Sequence, residues 1–332
     1  MKLYEFTFKS LSPFTSPIES YTIFGALCWG YKNIFGEKEF LDLLQLFLTE
    51  PPFLISSCIL KHYDKKYFPC PQIEDGFPEP KNEEEYKEQK EIKKRLHYIR
   101  EDLFIEFLEG KIKTKKELGD RLKELKQKEN YPTPEIKQVV ILHNSINRLT
   151  WTTEGGALYN VSSYFYPEFS IFICLVDENF PLDKLKAVFN VITFGGNKSI
   201  GYGRVKFINV KRAEEFEQYL NPFSNETSQK FYTLAPTFPD SAFDYDNSYY
   251  QIRTFCGKIE NFYERLTAPI LKKRVFYLQS GAVLSIKNNI SKKFYGGFKE
   301  VLSSRYLIDP SKEIKIYQYG YAFPFYIKHS GG

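Results

Sequence analysis

Gly195, Gly196, Gly201 and Gly203 fall within nine residues, between a segment with helical apolar spacing and one that reads as a strand. Glycine adopts positive φ without a side-chain clash and lets the backbone approach a neighbour closely, so this clustering dictates a tight, convoluted loop. Before it, Pro181 opens a helix whose Leu182, Leu185, Phe189 and Ile192 share one face. Gly195-Gly196 ends that helix, and residues 204–210 continue as a strand. The loop carries the cations Lys198 and Arg204, the hydroxyl of Ser199 and the ring of Tyr202, a set suited to phosphate contact and base stacking. It is not a P-loop, because the G-x-x-x-x-G-K-[ST] spacing is absent and a P-loop leads from strand to helix, the reverse order. A helix-to-strand turn that needs glycine only for its geometry has the same pattern, and the loop by itself leaves both readings open.

The rest of the chain supplies the frame. Tyr4, Phe6 and Phe8 alternate with Glu5, Thr7 and Lys9, the period of a half-buried strand. Ser16-Pro17-Ile18-Glu19 has the Ser and Glu of a capping box, with Ser20 as a second candidate cap. Phe24, Leu27, Cys28 and Tyr31 then fall on one helical face. Residues 37–48 form a second helix stopped by Pro51-Pro52, residues 53–59 a strand, and residues 169–176 a strand apolar on both faces. Strand–helix–…–strand–helix–strand with an antiparallel sheet predicts an α+β chain whose residues 1–220 form a ferredoxin-like domain. A polar link at 221–229 precedes strand candidates at 230–235, 249–255, 275–280 and 314–327, read as a second, eroded ferredoxin-like domain over 221–332. A length of 332 residues suits two compact units with separate cores. Residues 73–135 are dominated by Lys and Glu and read as a charged helical insertion, solvated or docking a protein, that adds little to the core and is dispensable for folding.

Several chemistries are disfavoured. The five cysteines are scattered without a C-x-x-C pair, so neither a zinc site nor a disulfide framework is expected, and Cys28 and Cys174 read as small core residues. His62, His97, His143 and His329 lie far apart, and Asp244 and Asp246 stand alone in a Tyr-rich loop. No catalytic residue, metal or cofactor is therefore expected, and His143 is the one candidate base. No segment reads as a signal peptide or membrane span, so a cytoplasmic protein is expected. A net charge of +5 permits a polyanionic partner without demanding one. Residues 147–166 carry Arg148, Thr150, Trp151, Thr152 and Thr153, a Glu154-Gly155-Gly156 turn, then Tyr159, Tyr164, Phe165 and Tyr166. Two aromatic-bearing arms about glycines predict a hairpin, projecting from the domain or packed on its core.

The string G-G-x-K-S-x-G-x-G-R at 195–204 resembles the C-terminal glycine-rich loop of the RAMP superfamily, CRISPR RNA-binding proteins built from ferredoxin-like, RRM-related domains. Residues 20–29, S-Y-T-I-F-G-A-L-C-W, resemble the S-D-T-L-F-G-A-L helix of the type III-A subunit that caps the guide RNA, with Tyr21 departing from the usual acidic residue. Residues 148–160 and the tail Tyr317-Gln318-Tyr319-Gly320-Tyr321-Ala322-Phe323-Pro324 match in the same order. The resemblance implies a non-catalytic scaffold that holds the 5′ handle of the crRNA. Its RNA contacts would be Ser20, Thr22, His143, Arg148, Trp151, Thr152, Gly195, Gly196, Lys198, Ser199, Gly201, Tyr202, Gly203 and Arg204. It further implies a thumb at 147–166 near the guide–target duplex. The implied partners are the large polymerase/cyclase-like subunit, the repeated backbone RAMP subunit and target RNA. The alternatives are a metal-independent RAMP endoribonuclease using His143, or the equivalent subunit of a type III-B or type I complex.

Overall fold

The N-terminal alternation builds strand β1 (Lys2–Ser10), with Phe6 and Phe8 fully buried on one face and Glu5 and Thr7 on the other. A computed structural model describes residues 1–128, 134, 136–222, 229–259, 271–287, 292–302 and 315–328. The closing Ser330-Gly331-Gly332, His329, most of the 221–229 link and residues 129–133 and 135 of the insertion lie outside the described residues. After β1 come α1 (Ser20–Phe35), α2 (Glu37–Thr49), β2 (Phe53–Ile55), β3 (Ile59–His62), β4 (Lys65–Pro69), α3 (Glu83–Arg95) and β5 (Tyr98–Arg100). Then follow α4 (Glu101–Leu108), α5 (Lys115–Lys128), β6 (Lys137–Ile146), β7 (Thr153–Phe165), β8 (Phe169–Leu175), α6 (Leu182–Phe189), β9 (Val205–Arg212) and α7 (Glu214–Glu217). The main sheet runs β5-β4-β3-β8-β1-β9, with β2 also pairing β8 and all pairs antiparallel. Reduced to β1-α1-β3-β8-α6-β9, this is the ferredoxin-like arrangement. Helix α6 lies on the Phe6/Phe8 face, its Phe189 ring 4.9 Å from Phe6 and 5.4 Å from Phe8.

Two local expectations shift. Helix α1 starts at Ser20, with Glu19 as a cap residue that makes no side-chain capping bond, so the Ser16-Pro17 box is not formed. Tertiary contacts hold that stretch out of the helix: the Ile18 carbonyl accepts from the Cys58 N–H at 3.0 Å, and its N–H reaches the Tyr166 hydroxyl at 3.4 Å. The strand expected at 53–59 breaks into β2 and β3, because Ser56 Oγ accepts from the Phe172 N–H at 2.8 Å and the Ser57 N–H turns to the Leu234 carbonyl at 2.9 Å.

The second half contains β10 (Lys230–Thr233), β11 (Phe243–Tyr249), β12 (Ile252–Phe255), β13 (Val275–Leu278), β14 (Val283–Ile286), β15 (Phe298–Glu300), β16 (Tyr317–Tyr319) and β17 (Pro324–Tyr326). Its four-stranded antiparallel sheet, β11-β14-β10-β17, repeats the strand order of the first sheet. No helix occurs among the described residues beyond 220. Strands that, β11 apart, have three or four residues and no helical layer of their own need another surface to cover them. Helix α1 provides it: Tyr21 stacks on Tyr277 at 5.1 Å and Phe24 on Tyr319 at 5.0 Å. One apolar cluster accordingly runs from Leu3 to Phe325 across both halves, and a smaller one around Phe231, Phe243 and Tyr295 lies within the second.

The charged insertion is a correction. Strand β5 extends the main sheet, and α4 buries Leu103, Phe104, Phe107 and Leu108. Phe104 stacks on Phe68 at 4.1 Å with planes 13° apart, and its other side meets Tyr232 at 4.9 Å and Phe325 at 5.8 Å. It therefore sits where the first sheet meets the second. Only α3 and α5 carry the charged face that the composition advertised, with pairs such as Lys123–Glu88 at 2.6 Å. Averaging over residues 73–135 hid the apolar 103–108 stretch.

Candidate nucleic-acid interface

Helix α6 ends before a doubled-back loop that Gly195, Gly201 and Gly203 enter at φ of 80°, 94° and 73°. Lys198–Ile200 form a single 3-10 turn between Asn197 and Gly201, both left-handed. Gly203 is the tightest point: a Cβ there would lie 1.9 Å from the Phe194 carbonyl oxygen, whereas one on Gly201 would meet open space. Phe194 N–H donates to Gly203 O at 2.9 Å, and Gly203 N–H to Pro13 O at 2.8 Å. The Arg204 N–H donates to Ser12 Oγ at 2.8 Å. Hydroxyls of Ser16 and Thr15 stand 3.3 Å and 3.4 Å from where a Cβ would sit on Gly195 and Gly196. The loop is thus seated on residues 12–16, neighbours that its own sequence gave no signal for across so long a separation. Arg204 and Ser199 are exposed and Lys198 half-buried at its rim.

Strands β6 and β7 form one long hairpin, paired from Lys137–Phe165 to Ile146–Thr153. The turn lies at 147–152, and the Glu154-Gly155-Gly156 backbone belongs to β7, so the turn expected there is corrected. Asparagine chemistry makes the turn: Asn147 Oδ1 accepts from the Leu149 N–H at 2.8 Å, its carbonyl accepts from Trp151 N–H at 2.8 Å, and Trp151 takes φ 56°. The tip presents Leu149 and Trp151, 92% and 82% exposed, with Arg148 and Thr152 also exposed. At its base the hairpin is stitched to the body by the Phe14–Tyr164 bridge.

His143 and Tyr202 join the two features. His143 Nε2 and the Tyr202 hydroxyl share a 2.5 Å hydrogen bond, and the imidazole stacks on Tyr159 at 5.5 Å. Tyr202 is only 4% exposed, so the base-stacking face expected of it is not offered; the ring clasps the glycine loop to the hairpin. Ser20 is corrected too. It is fully buried, its N–H donates to Ser57 Oγ at 3.2 Å, and its hydroxyl cannot meet a ligand. Thr22 is half-buried in the first turn of α1. That turn is no simple phosphate seat, because the Glu19 carboxylate stands there and accepts from Ser57 Oγ at 2.5 Å. Glu19 keeps a little accessible surface, yet desolvation lifts its pKa above the usual carboxylate range, against the Ser57 bond and Arg253, which act to lower it. Among the described residues no group of three or more His, Cys, Asp or Glu could hold a metal, and no helix is long and apolar enough to cross a membrane.

The RAMP superfamily sequence profile matches residues 13–206, from the segment that seats the glycine loop to just beyond the loop itself. The chain belongs to the RAMP superfamily. No curated protein sequence matches it. Among solved structures, a chain of the Csm3-Csm4 subcomplex in the type III-A CRISPR-Cas interference complex is similar at 18% identity and TM-score 0.59, covering 98% of this chain and 99% of that one. A chain of the Csm1-Csm4 cassette in complex with cA4 is similar at 15% identity and TM-score 0.55, with both chains covered fully. A chain of the type III-B Cmr-beta complex bound to cognate target RNA and AMPPnP is similar at 15% identity and TM-score 0.50, covering 85% and 86%. At these identities the likeness is one of fold, and it includes the α+β architecture with antiparallel sheets.

Proposed function

We propose that this RAMP protein is a non-catalytic, Csm4-like subunit of a type III-A CRISPR effector that holds the 5′ handle of the guide RNA. The observation that carries the reading is the glycine loop, clasped to the hairpin through Tyr202 and His143, with Arg204 exposed at its rim. A loop whose backbone turns four times at positive φ, three of them at glycine, presents amides and small surfaces that side chains would obstruct, the geometry in which a phosphate or sugar can lie against main chain. Lys198 and Arg204 add charge there, and Ser199, Gly195, Gly196 and Gly201 line the approach. Arg148, Trp151 and Thr152 at the hairpin tip are the thumb, reaching toward guide and target. Residues 1–220 form the RNA-holding part, and residues 221–332 brace it through the shared core. Csm1-like and Csm3-like subunits are the partners, since the similar chains belong to a Csm1-Csm4 cassette and a Csm3-Csm4 subcomplex.

His143 supports a structural role over a nucleolytic one, because its Nε2 is committed to Tyr202 and its face to Tyr159. The test is handle-RNA binding by the reconstituted complex over a salt series. Arg204→Ala should weaken binding for any handle sequence and flatten the log–log salt dependence by about 0.7, the value for one phosphate on a single strand. Unchanged affinity and slope would leave the loop a turn and nothing more. Metal-independent cleavage of repeat RNA in EDTA, lost in His143→Ala, would establish the endoribonuclease instead.

A further inference from the structure

Beyond the loop, the exposed β1–β9 edge of the main-sheet face opposite α6 carries a charge arrangement that the fold does not explain. Lys9 on β1 and Lys206 on β9 are directly opposite each other in the antiparallel register, and both are exposed. Opposed residues hold their Cβ atoms ~5 Å apart, so two like charges there repel and destabilise the pair. Neither lysine has an ion-pair partner among the described residues. Arg204, two residues before Lys206 and about 7 Å away along the chain, has none either.

The same sheet shows how the fold treats such a pair when it must neutralise one itself. Lys61 and Lys66 are also opposed, on β3 and β4. They are ringed by carboxylates: Glu168 lies 3.2 Å from Lys61, Glu101 and Glu215 lie 2.9 Å and 3.0 Å from Lys66, and Glu5 lies 3.9 Å from each. On β9 itself Lys211 meets Glu5 at 3.4 Å. Acids compensate these three lysines; the Lys9–Lys206 pair meets none among the described residues and is left to an outside anion.

Its position identifies the anion. Lys206 belongs to the strand that leaves the glycine loop, and Lys9 precedes residues 12–16, on which that loop is seated. Phe207 and Val205 turn to the helix side together with Ser10, which leaves the polar Asn209 beside the pair. Protein interfaces have apolar centres and few charges at them, whereas a backbone-tracking nucleic-acid groove is basic and polar. We infer that Lys9, Lys206 and Arg204 form a second phosphate-binding step, which carries the guide strand off the glycine loop and onto the exposed β1–β9 edge of the sheet. The inference rests on the guide-holding reading above and adds the path that the strand takes.

The test uses the complete reconstituted complex, with Lys9→Gln and Lys206→Gln singly and together. Each single change should lower the salt slope of guide binding by about 0.7, and the pair by about 1.4. The affinity gap between parent and double variant should then close about sevenfold between 50 and 200 mM salt. Because the changes relieve a repulsion, the Tm of the RNA-free chain should stay level or rise, which separates a lost ligand contact from damage to the sheet. Unchanged RNA affinity in the double variant, with Arg204→Ala still impaired, would overturn the second step and leave the loop reading standing. Loss of a subunit from the complex with RNA affinity intact would overturn it also, by assigning the pair to an acidic protein surface. No RNA binding by the parent complex would refute both readings together.

Discussion

Phe104→Ala tests whether the charged insertion belongs to the core. The ring has no exposed surface, stacks on Phe68 at 4.1 Å, and packs edge-on against Tyr232 and Phe325, which belong to the second sheet. Removing a fully buried Phe costs ~3–5 kcal/mol through lost transfer energy and the cavity left behind. Loss of a well-stacked pair and two edge contacts puts this site toward the upper end of that range. For a chain of 332 residues the unfolding entropy near Tm is about 0.7 kcal/mol/K at average per-residue values, so a 4 kcal/mol loss lowers Tm by roughly 6 °C. Tyr86→Ala provides the control, since that ring is 53% exposed on α3 and its removal should change stability by no more than ~0.5 kcal/mol. Differential scanning calorimetry of parent and both variants measures the difference. Equal melting of Phe104→Ala and the parent would refute the burial argument and restore the dispensable arm that composition suggests.

Gly203→Ala should disrupt the loop and guide binding, since its Cβ would fall 1.9 Å from a backbone oxygen at φ 73°. Gly201→Ala meets open space at φ 94° and should cost only the left-handed backbone penalty, ~1–2 kcal/mol, in chemical denaturation. Glu19 carries a pKa raised by desolvation, so folding favours its protonated form, and its ionisation withdraws stability as pH rises from the unfolded value near 4.5 through the higher folded one. Glu19→Gln, which keeps an acceptor for Ser57, should therefore raise Tm more at pH 8 than at pH 5; an equal gain at both would show that the carboxyl is not desolvated. Replacing Leu149 and Trp151 together by Ser should leave Tm unchanged, because both are more than four-fifths exposed, and a clear drop would mean that the tip packs on the body.

The elements that sequence pattern foretold are those whose residues answer mainly to their own segment. β1 follows its alternation and α6 follows the spacing of Leu185 and Phe189, but α6 stops at Phe189 with Asn190 as its cap, short of Ile192 and of the glycines expected to end it. The misreadings come from distant partners, from a competing local turn and from averaging over composition. Ser16-Pro17 has the letters of a helix start, but Cys58 and Tyr166 hold the adjacent Ile18 outside the helix. Gly155-Gly156 drew the hairpin turn toward itself, while Asn147, eight residues before Gly155, builds it through its own side chain. Tyr202 has the composition of a stacking residue and becomes a strut only because His143 comes within reach, 59 positions away in the chain. Leu103, Phe104, Phe107 and Leu108 had helical spacing on the page, diluted by the lysines and glutamates around them.

Crosslinking is the most direct test of whether the glycine loop holds the guide. A crRNA carrying single photoreactive uridines in its 5′ handle, assembled into the complex and irradiated, would be mapped on this chain by peptide mass spectrometry. Handle crosslinks should concentrate in residues 195–206, with those from the handle–spacer junction at 148–152. Handle crosslinks that fall on other subunits, or on this chain only in residues 221–332, would contradict the account.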